Sequence, residues 1–174
     1  MSESIKSILF ATDLSINCKP ALEVSVSLAA IYNANLYLLH VIDTASHSNF
    51  DEHFQTVLGH EKWMTLKREY EMDASNALIG KMSARSIGKK AIQQFSNEFK
   101  IESTNPAFRW QEIVATGKNL VDTIVSESDH NKCNLIILGT HSKLFGGNYV
   151  GNTIKGVLKK SKVPILVVPP PDKE

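Results

Sequence analysis

Much of what would reveal a function at a glance is missing from this sequence. Its two cysteines, Cys18 and Cys133, are too few and too far apart for a disulfide framework or a metal knuckle. Six histidines are scattered, and the pair His53 and His60, seven apart, has no companion carboxylate at zinc-site spacing. No apolar run approaches the roughly 18–20 residues that cross a bilayer. The opening stretch MSESIKSILF lacks a basic segment followed by a long apolar one, so no signal peptide is expected and the cytoplasm is the expected location. A formal charge of +1 removes the electrostatic reason for a nucleic-acid or membrane partner. The small basic cluster from Lys155 to Lys162 reads as a solvated helix end beside a C-terminal dipole.

The best-known phosphate and nucleophile motifs are missing as well. No G-x-G-x-x-G follows the first apolar run, and Gly117-Lys118 is followed by Asn119 without the upstream glycine of a P-loop. No G-x-S-x-G elbow occurs, which removes the simplest hydrolase reading. Cys133 directly precedes an apolar run and is expected to act as a small buried hydrophobe. Cys18 falls near the start of the first helix, where the dipole could lower its pKa, but no base partner accompanies it.

What is present is an alternation of strands and helices. At 174 residues and 43% hydrophobic content, the chain suits one domain over 1–174 with a core that needs no cross-links. Ile8 to Ala11 reads as a buried strand ending at Asp13. Asn17 to Asn33 carries Leu22, Val26, Ala29 and Ala30 at helical spacing, with Pro20 tolerable in the first turn. ANLYLLHVID is a second strand, and FRWQEIVATG a third, with Phe108, Trp110, Ile113 and Val114 as burial candidates. NLVDTIVSESD reads as an amphipathic helix, CNLIILG as a fourth strand, YVGNTIKGVLKKS as a helix, and VPILVVP as a last strand stopped by three prolines.

Strands two and three are joined by an elaborated crossover at about 44–105. Ser46 to His60 has no clear period and is expected to be the most mobile part, able to cover a ligand as a lid. Glu61 to Phe99 reads as helical, with Met64, Leu66, Leu78, Ile79, Met82, Ile87 and Phe95 for an apolar face, although Gly80 and Gly88 weaken the case for one unbroken helix.

Near-continuous apolar strands separated by helices imply an α/β fold, a five-stranded parallel sheet with helices on both faces. Ligands bind such sheets beyond the carboxyl ends of the strands, at the switch in strand order. That rule selects the loops ATDLS, HVIDT and the glycine-rich GTHSKLFGGNYVGNT before any motif is consulted. In the last of these, Gly151, Asn152 and Thr153 at a helix start could present N–H groups and a hydroxyl to an anion. Equally, Asn152 or Thr153 could simply cap the helix, and Asp13 or Ser15 could cap the first one.

The ordered segments ILFATDLS, LYLLHVID, GKNLVDTIV, NLIILGTHS and GNTIKGVLKKSKVPILVVP resemble the universal stress protein family over almost the whole chain. The shared pattern is an Asp after strand one, His-Val after strand two, a G-x-H loop after strand four, and a closing strand begun by Val-Pro. The resemblance implies a Rossmann-like sheet of the adenine nucleotide alpha hydrolase kind and a homodimer through Val163 to Val168. Being apolar, short and terminal, that segment would also need covering on ordinary edge-strand grounds. It implies, further, an adenine nucleotide site for AMP or ATP, with Mg as a companion ion. In that site Thr12, Asp13 and the backbone at Val41 would recognise adenine. Gly139, His141, Ser142, Gly151, Asn152 and Thr153 would surround ribose and phosphates.

The chain departs from the family's nucleotide loop, G-x-x-G, nine residues, then G-[ST]. Ser142 replaces the second glycine, eight residues separate it from Gly151, and Asn152 replaces the small hydroxyl residue. Gly146-Gly147 adds backbone freedom beside the deletion. The expected function is a nucleotide-binding stress or regulatory protein. A dimeric interaction module without nucleotide is the alternative, and a slow ATPase, with His141 as the one candidate base, a third.

Overall fold

The computed structural model describes residues 4–43, 55, 59–65, 68, 84–98, 108–140 and 151–170. Along the chain run β1 (Ser7–Ala11), a 3-10 turn (Ile16–Cys18), α1 (Lys19–Tyr32), β2 (Asn35–Asp43), α2 (Ala84–Glu98), β3 (Trp110–Gly117), α3 (Leu120–His130), β4 (Leu135–Gly139), α4 (Asn152–Lys160) and β5 (Ile165–Val168). All pairings are parallel, and the five strands lie in the order β3-β2-β1-β4-β5. This is the expected doubly wound α/β sheet.

The apolar runs form strands here because both faces of the sheet are covered. Side chains alternate along a strand. In β1, Ile8 and Phe10 join one buried cluster while Leu9 and Ala11 join another. β4 repeats the pattern, with Leu135 and Ile137 on the first side and Ile136 and Leu138 on the second. Leu22 and Ala29 of α1 and Ile87 and Ala91 of α2 cover the first face. Ile124 of α3 and Ile154 and Val157 of α4 cover the second. A strand with water on one side would alternate polar and apolar residues; the β1 sequence SILFA does not, and all five residues are buried.

Local chemistry sets the boundaries of the elements. Pro20 occupies the first turn of α1, where its missing N–H costs nothing, and Asn33 ends the helix in the left-handed conformation at φ +49°. Gly88 sits in the middle of α2 for a packing reason. A Cβ there would fall 2.7 Å from Val114 Cγ1 and 2.9 Å from Ile42 Cδ1, so the missing side chain lets α2 lie directly on β2 and β3. The propensity cost of that glycine is offset by close packing.

Trp110 is only half-buried, against expectation, because β3 forms an edge of the sheet; Phe108 and Val114 are buried. In the crossover, residues 60–65 are helical and Trp63 is fully buried. Ile87 and Phe95 face the core as expected and Met64 is half-buried, whereas Leu66, Leu78, Ile79 and Met82 lie outside the described residues. So does the expected lid over 46–60, apart from residues 55, 59 and 60. No helix among the described residues is long and apolar enough to cross a membrane.

Candidate nucleotide-binding crevice

The chain leaves β1 toward β2 on one side, while β4 lies on the other, so strand order switches between β1 and β4. Ala11 is paired with both Leu39 and Leu138, which brings Thr12, Gly139 and Thr140 out at the same end of the sheet. Two backbone bonds extend the ladders past the last paired residues: Thr12 N–H donates to the Leu39 carbonyl at 2.9 Å and Thr140 N–H to the Val168 carbonyl at 3.0 Å. Helix α4 connects the carboxyl end of β4 to the start of β5, so its N-terminus also lies at this end.

The loop after β1 is tightly folded. Buried Thr12 accepts the Leu14 N–H on Oγ1 at 2.9 Å, and Asp13 accepts the Ser15 N–H on Oδ1 at 2.9 Å. Leu14 has φ +68°, an unusual conformation for a residue with a branched side chain, yet it is buried. His40, also buried, has Nδ1 at 3.1 Å from the Thr12 carbonyl; a carbonyl only accepts, so the ring donates there. The Cys18 thiol donates to the same Asp13 oxygen at 3.1 Å.

That last contact corrects the expectation for Cys18. The helix start does not lower its pKa. Burial, followed by the negative charge of Asp13 and their hydrogen bond, pushes the thiol up to about 11. A dipole acting through a helix end is worth about 0.3–1 kcal/mol at an exposed site, too little to outweigh desolvation beside a carboxylate. Cys133 is the buried hydrophobe expected, with burial pushing it up to about 12.

Gly139 ends β4 against the first helical turns: a Cβ there would lie 3.2 Å from Cys18 Sγ and 3.5 Å from Ala21 Cβ. Gly151 is different. It occupies the N-cap of α4 with φ −53° and ψ 153°, and a Cβ on it would meet no described atom within 4 Å. Neither Asn152 nor Thr153 caps the helix, because they are its first two residues. Ser15 stands at the N-cap of the 3-10 turn but makes no side-chain capping bond, and Asp13 closes only the local Ser15 turn. The first turn of α4 contains no acidic residue, which leaves its positive dipole end uncompensated by its own sequence.

Val41 lies in β2, paired with Ala115, and its half-buried side chain packs on the core. Thr12, Asp13, Val41, Gly139, Gly151, Asn152 and Thr153 thus all belong to the carboxyl end of the sheet; His141 and Ser142 lie outside the described residues, as do Gly146 and Gly147. Sequence reasoning noted Cys18 near the start of the first helix and His40 within the His-Val pair but placed neither in the site, and it did not single out Leu14. Among the described residues, no three His, Cys, Asp or Glu side chains gather to hold a metal ion.

A five-stranded parallel sheet covered on both faces, with a switch in strand order between β1 and β4, places the chain among Rossmann-like α/β folds. The sequence matches the Universal stress protein family over residues 4–169, and the chain belongs to that family. Comparison with curated proteins gives no match. Several solved structures share the fold. A universal stress protein, UspA from Lactobacillus plantarum, is 20% identical, with 96% of this chain and 99% of that one covered at a TM-score of 0.61. A universal stress protein in complex with cAMP is 16% identical, with coverage of 95% and 98% and a TM-score of 0.59. A third, from Archaeoglobus fulgidus in complex with dAMP, is 14% identical, with coverage of 95% and 98% and a TM-score of 0.51.

Proposed function

We propose that the crevice between β1 and β4 binds an adenine nucleotide, and that the chain acts as a homodimeric stress-response or regulatory protein whose state is set by nucleotide occupancy. The observation that carries this reading is the contrast between two glycines. Gly139 is accounted for by packing on Cys18, whereas Gly151 has an ordinary φ and no described atom where its side chain would be. A glycine at a helix N-terminus, with no described atom where its side chain would be, suits the close approach of a phosphate. The cAMP and dAMP bound to proteins of the same fold support adenine as the base.

In this reading Thr12, Asp13 and the Val41 backbone recognise adenine. Gly139, His141, Ser142, Gly151, Asn152 and Thr153 surround the ribose and phosphates, and Mg arrives with a triphosphate. The altered glycine loop favours AMP over ATP relative to a full G-x-x-G loop, since the missing residue removes a backbone N–H from the outer phosphates and a serine side chain at position 142 limits their close approach. The same alteration also favours the alternative, a dimer that binds no nucleotide. The experiment is an amide NMR titration with AMP. Shifts concentrated at Thr12, Asp13, Val41, Gly151, Asn152 and Thr153 are expected; an unchanged spectrum at millimolar AMP refutes the reading.

The dimer is proposed to form through Val163 to Val168. All four residues of β5 are only half-buried, and β5 is hydrogen-bonded to β4 on one side of a sheet edge. A second copy would cover that edge.

A further inference from the structure

The backbone ladder between β1 and β2 stops at a definite atom. Leu36 N–H donates to the Arg109 carbonyl at 2.8 Å, so even-numbered residues of β2 turn their backbone groups to β3 and odd-numbered ones to β1. Leu39 agrees, accepting the Thr12 N–H at 2.9 Å. One step further, a continued parallel ladder would join the Val41 N–H to the Thr12 carbonyl and the Leu14 N–H to the Val41 carbonyl. Neither bond forms. The Thr12 carbonyl instead accepts from His40 Nδ1 at 3.1 Å, and the Leu14 N–H is taken by Thr12 Oγ1 at 2.9 Å. Leu14 turns away at φ +68°, a strained conformation for a residue with a branched side chain. Both groups that would have paired with Val41 are satisfied from elsewhere, and nothing among the described residues bonds its N–H or C=O.

We propose that His40 and Thr12 are positioning residues of the nucleotide site, which keep Val41 out of the β1 ladder so that its N–H and C=O face the crevice as an adjacent donor and acceptor. This rests on the nucleotide reading given above and adds His40, a residue outside that set. An adenine edge offers the complement, a ring-nitrogen acceptor beside an amino donor. A valine side chain has no polar atom, so the backbone must do the reading. His40 is 2% exposed and Thr12 7%, so a Thr12 carbonyl left without a donor would be costly there. Without the imidazole, the Val41 N–H is the group in register to satisfy it, and the ladder would close by one step. Because a carbonyl only accepts, Nδ1 carries the proton, and that donor is present in this neutral tautomer and in the protonated ring alike. Asparagine at position 40 places an amide donor where Nδ1 lies, whereas leucine has none to offer.

The test is amide hydrogen exchange followed by NMR on the parent, His40→Leu, His40→Asn and Thr12→Val, with AMP titration of each. In the ligand-free parent the Val41 amide should exchange roughly tenfold or more faster than that of Leu39, which is held in the ladder. His40→Leu should slow Val41 by roughly tenfold or more, as its N–H closes onto the Thr12 carbonyl. The same variant should weaken AMP by roughly five- to tenfold, the order of one hydrogen bond. Loss of a merely structural histidine would do the opposite to exchange, loosening the loop and speeding the amides around it. Thr12→Val, which frees the Leu14 N–H to follow the ladder, should move Val41 exchange and AMP affinity in the same directions as His40→Leu. His40→Asn should keep AMP affinity within about threefold of the parent. A Val41 amide already protected in the ligand-free parent overturns the proposal, as does unchanged or faster Val41 exchange in the variants, or AMP binding by His40→Leu as tight as the parent's. Should His40→Leu fail to fold, the parent and Thr12→Val decide by the same criteria. If Val41 exchange responds as expected but the parent binds no AMP, the release of Val41 from the ladder is upheld and the nucleotide reading is what falls.

Discussion

Cys18 and Gly139 meet at the switch in strand order, the sulfur filling the space that any side chain at Gly139 would need, with only 3.2 Å available to a Cβ. Gly151, at the other end of the loop after β4, has no such neighbour among the described residues. The two glycines should therefore respond oppositely to the same small change.

Gly139→Ala should destabilise the fold by about 1 kcal/mol, the low end of overpacking, because Cys18 Sγ, 3.2 Å from the added Cβ, must give by a few tenths of an ångström. Gly151→Ala should leave stability unchanged or raise it by about 0.4–1 kcal/mol, since its φ and ψ suit alanine. The same Gly151→Ala should weaken AMP. Urea denaturation of both variants, with AMP titration of the second, checks the contrast.

Alkaline pH should separate the parent from Cys18→Ser. The folded thiol holds its proton to about 11, against an ordinary 9.0. As pH rises past 9 the unfolded chain loses this proton first, so unfolding gains. The contribution is fully present below about pH 9 and is lost as pH climbs through the folded value, at up to about 1.4 kcal/mol per pH step. Denaturation midpoints at pH 8 and 10.5 should show the parent losing more stability than Cys18→Ser. Parallel losses would mean that the thiol is not buried as described.

Sedimentation at micromolar concentration should return the mass of two chains. The mass of a single chain would leave the half-buried apolar strand β5 uncovered and count against pairing through Val163 to Val168.

Much of the sheet was legible because its signal is local and redundant. Ile8 to Ala11 and Leu135 to Leu138 are apolar at every position, short and bounded by polar residues or glycine, the pattern of a strand covered on both faces. Pro20 and Asn33 mark the ends of α1 by their own backbone preferences. Trp63 was not legible: it follows His60, Glu61 and Lys62, with no period to show that the core closes over it. The candidate site was legible by position and not by contact. Asp13 and Gly151 follow from where β1 ends and α4 begins, but that Cys18 would point at Asp13, reversing the expected effect of the helix start, depends on tertiary packing. Asn152 and Thr153 suited either a cap or an anion contact by their side chains, and the chain enters α4 one residue earlier, through Gly151, which excludes the cap.

The central claim is tested most directly by titrating adenosine, AMP and ATP into the parent protein and Asp13→Ala by calorimetry. The account expects all three to bind the parent, with ATP no tighter than AMP, since losing even one phosphate contact worth roughly 1.5–3 kcal/mol costs about tenfold or more. Asp13→Ala should weaken all three alike. Absence of binding by any of them at millimolar concentration would contradict the account, and the glycine loop would then be only the turn between β4 and α4.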